Sequence, residues 1–165
     1  PREFGIGDMG VGECAGEVVS LTEFDLAEAE SQVFEAQLQL EEGDIAQADR
    51  LAYGAMLQAA RGLIKTGFVD ISDDPDQIVA EFRSRFFDTE IFFDRFAGGK
   101  FAQYLFRRHA RTEPPSGTDT VRQLIEEAQL FLEATHACQA RLASQPLVVP
   151  PPSIGSAPPI SEESS

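Results

Sequence analysis

Three segments of this chain place apolar residues at alternating steps of three and four, a spacing that only an α-helix with one buried face can use. Leu26, Ala29, Val33, Ala36 and Leu40 form the first stripe. Ile45, Ala48, Ala52, Ala55, Ala59 and Leu63 form the second, and Val121, Leu124, Ala128, Phe131, Thr135, Cys138 and Leu142 the third. The stripes come with punctuation. Ser20 with Glu23 makes a capping box that starts a helix over about Thr22 to Glu42, ended by Gly43. Asp44 caps the next helix, which runs toward Gly67, and the short turn makes the two an antiparallel hairpin.

The middle of the chain is less regular. Asp74-Pro75-Asp76-Gln77 sets a cap residue, a first-turn proline and a Gln at the reciprocal capping position, a start followed by the stripe Ile78, Val79, Phe82 and Phe86. The pattern leaves that helix ending either near Asp88 and Thr89 or at Phe93. Gly98 and Gly99 interrupt it before Phe101, Tyr104 and Leu105 resume, which predicts a bent or split element up to about Arg111. Pro114, Pro115 and Gly117 form a loop before the last helix. The expected fold is therefore all-α, an antiparallel bundle of about five helices over residues 20–145.

Both ends read differently from the bundle. Residues 1–19 carry Gly5, Gly7, Gly10, Gly12 and Gly16, a density that disfavours helix and suits an irregular arm or linker approaching another surface closely. From Pro146 the chain is rich in proline and serine, which predicts a disordered tail over 146–165 rather than an SH3-type ligand. The sequence begins at Pro1-Arg2 rather than at a methionine, so a fragment of a longer polypeptide is expected. No run of eighteen apolar residues exists and the first residues do not read as a signal peptide, which points to a cytoplasmic chain without membrane association.

Charge narrows the partners. The net charge is −15, and no Lys or Arg falls between Arg2 and Arg50 while acids recur throughout, so that half repels phosphate backbones and nucleic acid is not the expected partner. The stretch from Arg95 to Arg111 is the exception, with Lys100, Arg107, Arg108 and no acid. It can attract an acidic partner or neutralise acids within the bundle. His109 beside these arginines either contacts phosphate or complements the dipole of a helix end. His136, at the edge of the last stripe, reads as a packing residue.

The other chemical candidates are weak. Gly10-Val-Gly12-Glu-Cys-Ala15 matches a loose dinucleotide fingerprint, but no strand precedes it and Glu13 would oppose a pyrophosphate. Cys14 is flanked by Glu13 and Glu17, which favour the protonated thiol over a reactive thiolate. Cys14 and Cys138 cannot form a metal or iron–sulfur cluster, so neither cofactor nor metal is expected. The nine aromatics from Phe82 to Phe106 are read as core, with a partner surface as the alternative. No catalytic residue is assigned. The candidate contact residues are Gly10, Gly12, Cys14 and Gly16 in the arm, and Arg107, Arg108 and His109 in the basic stretch.

Two resemblances add to this. Leu51-Ala-Tyr-Gly-Ala-Met-Leu-Gln-Ala-Ala-Arg-Gly-Leu-Ile-Lys65, followed by Val79-Ala-Glu-Phe-Arg-Ser-Arg-Phe86, resembles the HEPN superfamily over about Thr22 to Ala143. That resemblance implies a helical bundle. Many members are RNases with an Arg and a His separated by four to six intervening residues, but Ala102, Gln103 and Tyr104 stand at the Arg positions ahead of His109, and Gln129, Leu130 and Phe131 ahead of His136. It thus implies a binding or scaffolding member without the nuclease centre. Gly5-Ile-Gly-Asp-Met-Gly-Val-Gly-Glu-Cys-Ala-Gly-Glu-Val-Val19 looks like a segment downstream of the body of some nitrite/sulfite reductase-type chains. That implies an accessory domain docked on, or covalently linked to, a reductase. A free-standing nucleotide- or RNA-associated module of the toxin–antitoxin type and a homodimeric scaffold are the alternatives.

Overall fold

The structure, a computed structural model, describes residues 13–144, with side chains from Thr22 onward. Five α-helices follow one another: α1 (Glu13–Glu41), α2 (Ile45–Ile64), α3 (Pro75–Phe82), α4 (Lys100–Ala110) and α5 (Thr118–Ser144). A π-helical turn, Arg83–Phe87, extends α3. No strand is present among the described residues, which bears out the all-α bundle. The sequence expectations for residues 1–12 and 146–165 lie outside the described residues.

The α1–α2 hairpin closes as its residues dictate. Gly43 sits at φ 90°, the left-handed region, its N–H donating to Leu40 O while the Asp44 N–H reaches back to Gln39 O. This is the paired closure that satisfies the last carbonyls of a helix, and it needs a residue without Cβ at that φ. Asp44 Oδ1 then accepts from the Gln47 N–H at 3.1 Å and starts α2. Asp74 does the same for α3 through the Gln77 N–H at 3.0 Å. Gln77, however, turns its side chain to Ser72, not to the Asp74 backbone, and Ser72 Oγ receives the Asp74 N–H.

α2 is the central element and packs against all four other helices. Its inner face is made of small residues, with Ala48, Ala52, Ala55, Ala59 and Ala60 all buried beside Met56 and Leu63. Small side chains let helix axes approach closely. One close approach is at Gly62, where a Cβ would lie 3.0 Å from the Asp25 Cβ of α1. Thr22 Oγ1 donates to Gly62 O across the same contact at 3.3 Å. Asp25 is buried there, and its carboxylate is held by Lys65 Nζ at 2.9 Å and by Gln58 Nε2 at 2.5 Å.

The other half of the core is aromatic. The Phe82 ring lies 5.0 Å from Phe92, 5.6 Å from Phe131 and 5.8 Å from Phe86, with edge or tilted packing at the first two. Phe86, Phe92, Tyr104 and Phe106 are buried as well, so most of the aromatic run serves the core, while Phe93 and Phe96 stay exposed.

Three sequence expectations need correction. The helix does not start near Thr22, because α1 begins at Glu13 and takes in residues 13–19 of the expected arm. One helical glycine costs about 1 kcal/mol, and Gly16 alone does not end the hydrogen-bond ladder. Ser20 and Glu23 consequently lie inside α1, where no free first-turn N–H remains for a cap. The third concerns His136, which is exposed and hydrogen-bonded to Glu30 Oε2 at 2.6 Å instead of packing in the core.

Candidate functional site

The fold gathers the chain's most concentrated polar chemistry where the first turns of α2 and α3 meet the end of α4. Asp49, at the start of the second turn of α2, faces inward with a side chain only 4% exposed. Arg108 Nη2 donates to its Oδ2 at 2.7 Å, and Arg111 Nη2 spans both oxygens at 2.7 Å. One helical turn along α2, Tyr53 lies under the Arg108 guanidinium, 4.3 Å from the ring centroid. Its hydroxyl meets His109 Nδ1 at 2.6 Å, and His109 Nε2 faces Asp76 Oδ1 at 2.9 Å.

The protonation pattern follows from the partners. A carboxylate only accepts, so Nε2 carries the imidazole proton toward Asp76, and in the neutral ring Nδ1 accepts from the phenol. Burial pushes the Tyr53 pKa up, the nearby Arg108 charge opposes that shift and Asp76 adds to it. The phenol therefore keeps its proton at neutral pH. The Asp76–His109–Tyr53 chain fixes the imidazole and the phenol relative to each other, with the phenol proton directed at His109.

Beside this cluster a groove of about 240 Å³ opens between α4 and α5, lined among others by Arg107, Arg111, Gln123 and Glu127. Its charges are partly matched, since Arg107 lies 3.7 Å from Glu127 and over the Tyr104 ring. Arg108 Nε is buried without an acceptor among the described residues.

The sequence candidates divide accordingly. Arg108 and His109 enter the cluster, and Arg107 lies beside it on the groove. Their place on the last turn of α4 also complements the helix dipole. Cys14 and Gly16 fall on the first turns of α1, away from the arm expected for them, and Gly10 and Gly12 lie outside the described residues. Asp49, Tyr53, Asp76 and Arg111 were not candidates. Their one sequence signal is an acid, Asp49, set next to the Ala48–Ala52 stripe, where a charged residue needs a partner. Among the described residues no cluster of His, Cys, Asp and Glu could hold a metal ion, and no helix is long and apolar enough to cross a membrane.

No protein-family model matches this chain, and no curated protein or solved structure does either. The site's own geometry is what speaks to its use.

Proposed function

We propose that this chain is a non-catalytic helical interaction domain, working as an accessory unit appended to a nitrite/sulfite reductase-type protein. One observation carries the non-catalytic part. In the main polar cluster the groups that could do chemistry are spent on one another, with Asp49 taken by Arg108 and Arg111, and His109 held between Tyr53 and Asp76. A phosphate entering there would have to displace a buried carboxylate from two arginines, which favours a structural role for the basic stretch. The glycine-rich segment from Gly5 to Val19, whose last residues fall in α1, supports the link to a reductase through its resemblance alone.

The second reading, a HEPN-like module associated with nucleotides or RNA, draws on the Tyr53–His109 contact, which joins the signature-like helix to the basic stretch. A nuclease assay tests the non-catalytic part. Purified protein incubated with labelled single-stranded RNA should leave it intact, and His109→Ala should behave as the parent does. Robust cleavage that disappears in His109→Ala overturns the non-catalytic reading and promotes the second.

A further inference from the structure

α1 carries a second three-four stripe on the side facing away from the bundle. Phe24, Ala27, Ser31, Phe34 and Leu38 step by three, four, three and four, and all five are exposed. Phe24 and Phe34 each keep 61% of their surface, and Leu38 keeps 37%. In heptad terms these are successive a and d positions, the spacing by which one helix seats against another. Two heptads give a seam about 21 Å long at 1.5 Å per residue. The small Ala27 and Ser31 between the aromatics leave room for close approach by an incoming helix.

What flanks the seam identifies its occupant. The e positions are Glu28 and Glu35, and the g positions are Glu23, Glu30 and Gln37. The four glutamates are exposed, and none is ion-paired with a Lys or Arg among the described residues. Glu30 faces His136 and Glu35 accepts from Gln39. No Lys or Arg lies between Arg2 and Arg50, so α1 supplies no cation of its own.

A second copy of this chain is a poor fit. Whether two α1 helices ran parallel or antiparallel, glutamate would face glutamate along the seam. We infer that this outer face of α1 docks a helix of a different protein segment, one with apolar residues at its a and d positions and Lys or Arg at e and g. The inference rests on the reading of the chain as an interaction domain and names the class of its partner.

The test uses the full chain and three synthetic peptides of equal length. The first has Leu at a and d and Lys at e and g. The second replaces those lysines by glutamates, and the third scrambles the first so that charge is kept and the seam is lost. In titration calorimetry at low salt the lysine peptide should bind, and the other two at least about tenfold more weakly. The double variant Phe24→Ser/Phe34→Ser should lose at least about tenfold in affinity for the lysine peptide. Its far-ultraviolet dichroism should be unchanged, because both rings are largely exposed. Glu28→Lys/Glu35→Lys should reverse the preference toward the glutamate peptide.

Binding of the scrambled peptide as tightly as the ordered one, or binding indifferent to the serine double variant, overturns the inference. So does self-association of the chain that the serine double variant dissolves, which would make a second copy the occupant. Each of these results leaves the non-catalytic reading standing, since that reading falls to RNA cleavage and not to peptide binding.

Discussion

Replacing Asp49 by Ala removes the one carboxylate among the described residues that holds Arg108 and Arg111. Their side chains are 13% and 23% exposed, so neither guanidinium can move fully into water while the helices stay docked. Breaking a buried ion pair from one side costs about 3–5 kcal/mol, and the partial exposure of both arginines puts this case near 3 kcal/mol. For a domain of this size that corresponds to a fall in Tm of about 10 °C or more. In urea titration followed by far-ultraviolet dichroism the midpoint should drop by roughly 1–2 M at an ordinary slope. Asp49→Asn keeps one acceptor oxygen and should fall between parent and Ala. Adding Arg108→Met to Asp49→Ala should cost less than the two single changes together, because the second removes the charge that the first strands. A loss below about 1 kcal/mol for Asp49→Ala would refute the reasoning and show the arginines to be solvated without it.

Three other effects are measurable on the same protein. Gly43→Ala forces a Cβ onto a backbone at φ 90° and should destabilise the hairpin by about 1–2 kcal/mol in the same urea assay, although nothing lies within 4 Å of the new atom. Burial raises the pKa of Cys138 above its ordinary 9.0 and that of Tyr53 above its ordinary 10.0, with Arg141 and Arg108 partly opposing these shifts. For groups shifted upward, the stability they contribute is complete below the unfolded pKa and is lost as pH rises through the folded one. Thermal stability should thus decline from about pH 9 upward, less steeply in Tyr53→Phe/Cys138→Ala. In a Cys14→Ser background the remaining thiol should react with a disulfide reagent only as fast as the bundle opens.

Much of this fold can be read from spacing because each helix is a local object. The stripes of α2 and α5 and the caps at Asp44 and Asp74 need only neighbours within one or two turns. The polar cluster is another matter. Asp49 meets Arg108 and Arg111 across 59 and 62 positions, and no periodicity links an acid on one helix to a base on another. The basic stretch pointed to Arg108 and His109 as residues needing a partner, but which acid would serve them depended on how α2 and α4 pack. α1 shows a different limit. Leu26, Ala29, Val33, Ala36 and Leu40 share their spacing with Phe24, Ala27, Ser31, Phe34 and Leu38, and only packing decides which set turns inward. Its start was misplaced because glycine density describes preference, whereas the helix ladder, once formed, tolerates one glycine.

The central position of α2 bears on how the domain comes apart. Since α2 touches every other helix, the amides of its inner face are exposed only when several interfaces are lost together. They should be the slowest in a deuterium-exchange experiment, and their rate should report the stability of the whole bundle. The turn between Phe93 and Gly99, outside any α-helix and carrying the exposed Phe96, can open while α2 and the buried Phe92 stay in place. Among the described residues a protease would find its first cut there, and the α1–α2 hairpin would outlast the break.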